Sequence, residues 1–465
     1  MTELLAPAGT LRNMKYAFAY GADAVYAGQP RYSLRVRNND FGHEHLAEGI
    51  EYAHALGKQF YVASNIAPHN AKIKTFMRDI EPVIQMKPDA LIMSDPGLIM
   101  MVKEQFPDQV IHLSVQANVV NYASVKFWYK NGVKRIILSR ELSLDEIEEI
   151  RMQCPEMELE VFVHGALCIA YSGRCLLSGY MNKRDPNQGS CTNACRWEYK
   201  AHEAKENILG EFEPKDPKIW TPNEQKIITD SPSSNTGFDV APTLGEGKPT
   251  DEALLLEEEN RPGQFMPAFE DEHGTYIMNS KDLRAIQHVE RLMKMGIHSL
   301  KIEGRTKSHY YVARTTQSYR QAIDDAKAGK EFDRSLMDNL ENLANRGFTE
   351  GFYRRHVHDE YQNYQTGSSK ITKQQFVAEV ISVKNGRMEL HAKNKFLKGD
   401  RLELMLPQGN VEFVLNDIKL SKNQFDIDEV PGSDYKVNVP IPDSIDIEKL
   451  GESALEHALV MRYLK

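Results

Sequence analysis

Four of the chain's five cysteines lie in one stretch, HGALCIAYSGRCLLSGYMNKRDPNQGSCTNACRWEY (164–199), as Cys168, Cys175, Cys191 and Cys195 with the spacing C-x6-C-x15-C-x3-C. Thiols this close can form disulfides, bind zinc, hold an iron-sulfur cluster, or supply a nucleophile with bystanders. The opening MTELLAPAGT lacks the basic and apolar signature of a secretory leader, so a cytoplasmic location is expected. Stable disulfides are rare there, and an odd number of cysteines leaves one unpaired. Structural zinc sites usually draw on two tight C-x2-4-C knuckles, and only Cys191 and Cys195 form one. Iron-sulfur clusters are wider and accept thiolates from looser spacing, which favours them over zinc; unligated buried thiols stay open as a third reading. Cys154, in QCPEME, stands apart and reads as a structural thiol.

His164 precedes the first of these cysteines, and with Glu303 it is a candidate catalytic group. A nucleophilic cysteine needs a base within hydrogen-bond reach, but nothing in the spacing demands one, and packing at the strand terminus or a bond to a neighbouring loop is the simpler reading of a lone histidine. Asn65, Asp95, Gln116 and Arg140 also sit where apolar runs end. Arg35, Arg37 and Arg305 are candidates for holding an anion, because guanidinium forks match carboxylates and phosphates bidentately; the competing reading of the RVR run (35–37) is a solvated edge. The substrate-binding candidates are thus Arg35, Arg37, Asn65, Gln116 and Arg305. The formal charge of −9 excludes a global pull toward nucleic acid, so RNA contacts would rely on the local basic stretches 31–39 and 301–314.

These residues need a scaffold, and the apolar pattern supplies one. Seven runs rich in Val, Ile, Leu and Phe precede residue 166: ELLAPAG (3–9), ADAVYAG (22–28), QFYVASNI (59–66), ALIMSDP (90–96), HLSVQAN (112–118), RIILSR (135–140) and LEVFVHG (159–165). They read as parallel strands buried on both faces. Amphipathic helical patterns alternate with them, one opening at Ser143 with Glu146 three residues on, a capping box. SLKIEG (299–304) is an eighth strand, preceded by a helical pattern over 282–296 and followed by one over 308–328. Eight βα units without a glycine-rich dinucleotide fingerprint predict an α/β fold of the TIM (β/α)8 type rather than an open sheet. The barrel domain is expected over 1–335, with a long cysteine-bearing insertion (166–275) after strand seven, whose part 228–264 is acidic and rich in Pro, Gly and Ser. A helical linker (336–370) and a small antiparallel β-barrel (371–465) complete the chain. No run approaches the roughly 18 apolar residues of a membrane span.

LLAPAGT, YGADAVYAG, the cysteine stretch with NKRDPNQGSC, GTYIMNSKDL and LKIEGRTKS resemble the collagenase-like peptidase family of uncertain catalytic type, over nearly the whole chain. The acidic segment near 228–260 is outside the likeness. The resemblance implies a tRNA-modifying enzyme, a tRNA uridine 5-hydroxylase that converts the wobble uridine in the anticodon loop to 5-hydroxyuridine without dioxygen, with prephenate as co-substrate. It further implies that Cys168, Cys175, Cys191 and Cys195 hold a 4Fe-4S iron-sulfur cluster. The arginines are then expected to hold prephenate, a small dicarboxylate, while Tyr26, Tyr32, Tyr310 and Tyr311 are candidates for stacking on splayed bases. Two other readings remain: a collagenase-like peptidase, although H-E-x-x-H and G-x-S-x-G are absent, and a non-catalytic RNA-binding module.

Overall fold

The computed structural model describes residues 2–33, 40–66, 68–167, 199–206, 212–220, 254–258, 265–271, 274–277, 281–343, 347–354, 374–432, 434–446, 451 and 455–464. Seven parallel strands, β1 (Glu3–Pro7), β2 (Ala24–Gly28), β3 (Gln59–Ser64), β4 (Ala90–Met93), β5 (Ile111–Leu113), β6 (Arg135–Ile137) and β7 (Glu158–Ala166), are followed by the closing strand Ser299–Ile302. The closing strand pairs with β1 on one side and β7 on the other, so the sheet has no free edge at that seam. This is the expected TIM-type barrel. Most strands are shorter than their apolar runs, because the last residues of the run already belong to the strand-end loop; β2 instead starts later than its run, and β7 extends one residue beyond its run at each end.

The helices begin where local chemistry starts them. Thr10 accepts from the Asn13 backbone N–H at 3.1 Å to cap Leu11–Ala19. Ser143 and Glu146 complete the capping box of Leu144–Gln153. Asp95 caps Pro96–Gln105, with proline at the first helical position where no N–H is needed. The 282–296 segment departs from its single-helix pattern: Asp282–Arg284 is a strand antiparallel to β7, and only Val289–Lys294 is α-helical. Leu283 buries its side chain through strand pairing, so the helical period misread a strand that joins the barrel wall. Phe348–Thr349 extends that edge.

Within the insertion, five strands form an antiparallel sheet in the order Gly274–Ile277, Phe265–Asp271, Leu254–Glu258, Tyr199–Glu206 and Phe212–Trp220. The C-terminal part is antiparallel throughout. Among its described residues, a seven-stranded sheet runs from Val411–Val414 through Leu459–Tyr463 and Gln374–Lys384 to Lys419–Leu420, a half-barrel around its own core of residues such as Leu390, Leu402, Phe396 and Val460, and Phe396–Leu397 pairs separately with Glu429–Val430. It is fastened to the barrel. The Tyr20 hydroxyl lies 3.0 Å from the carbonyls of both Met405 and His457, Tyr310 stacks on Phe376, and the fully buried Arg314 pairs with Glu403.

Candidate active site at the strand ends of the barrel

Charged side chains fill the barrel interior, and they are arranged in compensating pairs. Arg135 on β6 donates to Glu3 on β1 at 2.6 Å and lies 3.4 Å from Glu160 on β7. Lys301 on the closing strand donates to Glu160 at 2.8 Å. Ser299 and Tyr61 complete the shell of Glu3 at 2.7 and 2.6 Å. Burying charge without partners would cost several kcal/mol per ion, so the two carboxylates and two cations are stable only as a set. Burial pushes the Lys301 ammonium down from its ordinary value, and the Glu160 carboxylate opposes that shift.

Two aromatic rings lie against this network. Lys301 Nζ is 4.2 Å from the centroid of Tyr26 and 5.5 Å from that of Phe162. Arg305 packs over the same Tyr26 ring at 5.8 Å, and Arg140 over Phe162 at 4.2 Å. Both arginines come from strand-end loops, so both rings are shared between the buried ammonium and a guanidinium of the mouth. Cation–π attraction contributes about 0.5–2 kcal/mol per contact and fixes guanidinium orientation without consuming its N–H donors.

Arg305 is buried and donates to Ser33 Oγ at 2.7 Å. Gly28 at the end of β2 admits it: a Cβ there would lie 2.4 Å from Arg305 Nη1. Arg140 donates to the Ala166 carbonyl at 2.5 Å, at the end of β7. Asn65, after β3, donates to Ser114 Oγ at 3.1 Å and to Gln116 Oε1 at 2.9 Å, both after β5. The structure therefore groups Asn65 with Gln116, and it sets Arg305 and Arg140 over adjoining rings. Active sites in this fold are built on that face.

Other candidates fall elsewhere. His164 faces the helix His309–Lys327 and the Phe348 edge, with the rings of Tyr311, Tyr319 and Phe348 at 5.8, 5.6 and 5.5 Å. Burial, then the charges of Arg284 and Lys307, push its pKa down to about 3, so the imidazole stays neutral. An irregularity between Lys301 and Ile302 in the register of the closing strand against β7 turns this residue into the wall. Glu303 is buried at the rim; its backbone N–H donates to the His164 carbonyl at 2.8 Å, and its carbonyl accepts from the Tyr311 hydroxyl at 2.9 Å. Asp95 is occupied as a helix cap. Tyr26, Tyr32, Tyr310 and Tyr311 are all buried, so none presents an open ring face to a base. Arg35, Arg37, Cys168, Cys175, Cys191 and Cys195 lie outside the described residues. The described chain reaches Leu167 directly from β7, at the mouth end.

Sequence reasoning missed Lys301, Gly28 and Glu141. The first had a usable signal: Glu3, Arg135, Glu160 and Lys301 are charged positions inside strands otherwise read as wholly apolar, and such charges must find one another. Glu141, after β6, accepts from Ser139, and burial raises its carboxyl above the ordinary value.

A closed barrel with a cation-bearing mouth and a cysteine-rich excursion after its seventh strand now stands beside the comparisons with known proteins. The model described as Peptidase family U32 matches residues 9–363, and that for the Peptidase family U32 C-terminal domain matches 372–451. The chain belongs to peptidase family U32. It is 63% identical over 461 residues to the tRNA hydroxylation protein P of Escherichia coli (strain K12), covering 99% of this chain and 96% of that one. The protein of the same name from Haemophilus influenzae is 61% identical over 464 residues, with the same coverage. The one from Helicobacter pylori (strain ATCC 700392 / 26695) is 39% identical, covering 79% of this chain and 76% of its own.

Proposed function

We propose that this protein is a tRNA hydroxylase that acts on carbon 5 of the wobble uridine, with prephenate as co-substrate. The observation that carries the reading is the mouth itself, where Arg305 is held by Ser33 and Tyr26 and packs into the space left by the missing side chain of Gly28. A buried guanidinium on the active face is suited to a carboxylate, and prephenate has two. Arg140 over Phe162 is a second cation of that face, and Arg35 and Arg37 follow Ser33 closely in the chain. Near-full-length similarity to relatives named for tRNA hydroxylation supports the substrate class.

The residues that would hold a 4Fe-4S cluster are Cys168, Cys175, Cys191 and Cys195. Four soft thiolates are the donor set such clusters take. β7 delivers the chain to the mouth immediately before Cys168. When bound, the cluster would supply electron transfer or a Lewis-acidic iron beside the substrate. The chain's own part is clearer in physical terms: Arg305 and Arg140 bind and orient the anion, and Asn65 with Gln116 offers amide donors and acceptors to a base or sugar. The Lys301–Glu160 pair holds the floor rigid.

The test combines anaerobic purification, iron and sulfide analysis, and mass spectrometry of tRNA nucleosides from cells carrying each variant. Arg305→Ala is expected to abolish 5-hydroxyuridine while leaving iron content unchanged. Full modification by that variant removes Arg305 from the site. One equivalent of zinc without iron, or gelatin cleavage by a colourless protein that modifies no tRNA, overturns the reading.

A further inference from the structure

The helix Tyr122–Lys130, sequence YASVKFWYK, buries only Val125 among its nine residues. Phe127 is 55% exposed, Tyr129 47% and Tyr122 40%. Helices on a barrel's outer ring normally turn such rings inward, because leaving a large aromatic in water forgoes the hydrophobic gain of burying it. Here they face out in company with lysines. Tyr122, Lys126, Tyr129 and Lys130, at i, i+4, i+7 and i+8, share one stripe. Lys126 Nζ sits 5.2 Å over the Tyr122 ring. Residues 121–134 contain Lys126, Lys130 and Lys134 and no acid, within a chain of net charge −9. Only Lys134 of the three has a carboxylate partner among the described residues, Glu158 at 3.2 Å.

The helix also starts at the active face. Asn121 caps it, accepting from the Ser124 N–H at 2.9 Å, immediately after the loop that carries Ser114 and Gln116. The Val119 carbonyl in that loop accepts from the Ser139 N–H at 3.2 Å, tying it to the loop that bears Arg140. From this rim the stripe descends the outer wall, because a barrel helix runs antiparallel to its strands.

We propose that this stripe is a docking surface for tRNA outside the catalytic mouth, with exposed rings stacking on unpaired bases and lysines meeting phosphates. The inference rests on tRNA being the substrate. Unpaired bases offer π-faces to any aromatic, and phosphates offer charge to any lysine, so the combination recognises single-stranded RNA without reading sequence. The lysines argue against a protein partner: the cores of protein interfaces are depleted in lysine, whereas Lys126 and Lys130 interleave with the rings.

The experiment measures binding of the full-length holoenzyme to unmodified substrate tRNA at several salt concentrations, together with modification kinetics. Tyr122→Ala and Tyr129→Ala are each expected to weaken binding roughly tenfold and raise KM for tRNA, with kcat at saturating tRNA and KM for the carboxylate co-substrate unchanged. Lys126→Gln with Lys130→Gln should flatten the salt dependence by about one unit of slope per lysine. All four side chains are solvent-facing, and an unchanged melting temperature checks that each variant is folded. Wild-type affinity in these variants overturns the docking surface while leaving the tRNA reading intact. If the wild-type chain neither binds nor modifies tRNA, the functional reading fails first. A shift from dimer to monomer in Tyr129→Ala with full tRNA affinity assigns the face to a second copy of the chain and overturns the proposal.

Discussion

Gly28 and Arg305 occupy one volume: a Cβ on Gly28 would stand 2.4 Å from Arg305 Nη1 and 2.6 Å from Ser33 Oγ. The guanidinium reaches its place only because residue 28 has no side chain. Gly28→Ala is therefore expected to push Arg305 off Ser33 and Tyr26 without unfolding the barrel, since an end-of-strand alanine is well tolerated by the backbone. Tested by tRNA nucleoside analysis with titrated co-substrate, it should raise the apparent KM for the carboxylate at least about tenfold, the scale of one lost charge-assisted hydrogen bond. An unchanged KM would show that the anion is held elsewhere.

Cys154 is the internal control for the proposed cluster ligands. It is buried, its thiol lies 3.6 Å from the Tyr122 carbonyl, and burial pushes its pKa up, all marks of an inert group. Cys154→Ala should keep full iron and sulfide content after anaerobic purification and lose about 1–2 kcal/mol of stability at most. Cys191→Ala should lose most of its iron. Equal iron loss in both would point to general misfolding and withdraw the ligand assignment.

His164 is expected to set an acid limit on stability. In the folded chain its pKa is pushed down to about 3, first by burial and then by Arg284 and Lys307; the ordinary value is 6.5. Between those values the unfolded chain binds the extra proton, so the contribution is whole above the ordinary value and is lost as pH falls toward 3. His309, pushed down to about 4 by burial and then by Arg12 and Lys393, adds a loss of the same sign. For His164 alone the loss by pH 4 is on the order of 3 kcal/mol. Urea unfolding at several pH values should show a shallower acid slope for His164→Phe, which keeps the ring packing against Tyr311 and Tyr319 and cannot protonate. An unchanged slope would place the acid sensitivity elsewhere.

The two domains are joined through a buried ion pair. Arg314 is wholly buried on the helix His309–Lys327, and Glu403 on the half-barrel also accepts from Gln374 at 3.0 Å and Asn410 at 3.1 Å. Glu403→Leu leaves a buried guanidinium without its counter-charge and should cost about 3–5 kcal/mol, whereas Arg314→Met with Glu403→Leu should recover most of that loss. The readout is a double-mutant cycle by urea unfolding of the full chain. Additive losses would show that the pair contributes nothing as a pair.

Much of this architecture is legible in one dimension. Eight apolar runs alternating with helical patterns imply the barrel, because parallel strands buried on both faces need helices between them. Ser143 with Glu146 announces a helix start through contacts only three residues apart. The 282–296 pattern misled because Leu283 satisfies its hydrophobicity by pairing with β7, a contact with no local sequence signature.

Partnership across the barrel was decided only in three dimensions. Nothing in the chain says that Lys301 will neutralise Glu160 at 2.8 Å, or that Gly28 will make room for Arg305 more than 270 positions away. Likewise, the end of a strand does not reveal which wall its side chain faces. Asn65 and Gln116 turn to one another at the mouth, while His164, after a one-residue irregularity in register, turns into the packed wall. The sequence determined which groups must be buried, capped or paired, because burial and local hydrogen bonding follow residue type and period. Closure of the sheet determined which groups meet, because register and strand direction set that geometry and both arise from contacts far apart in the chain.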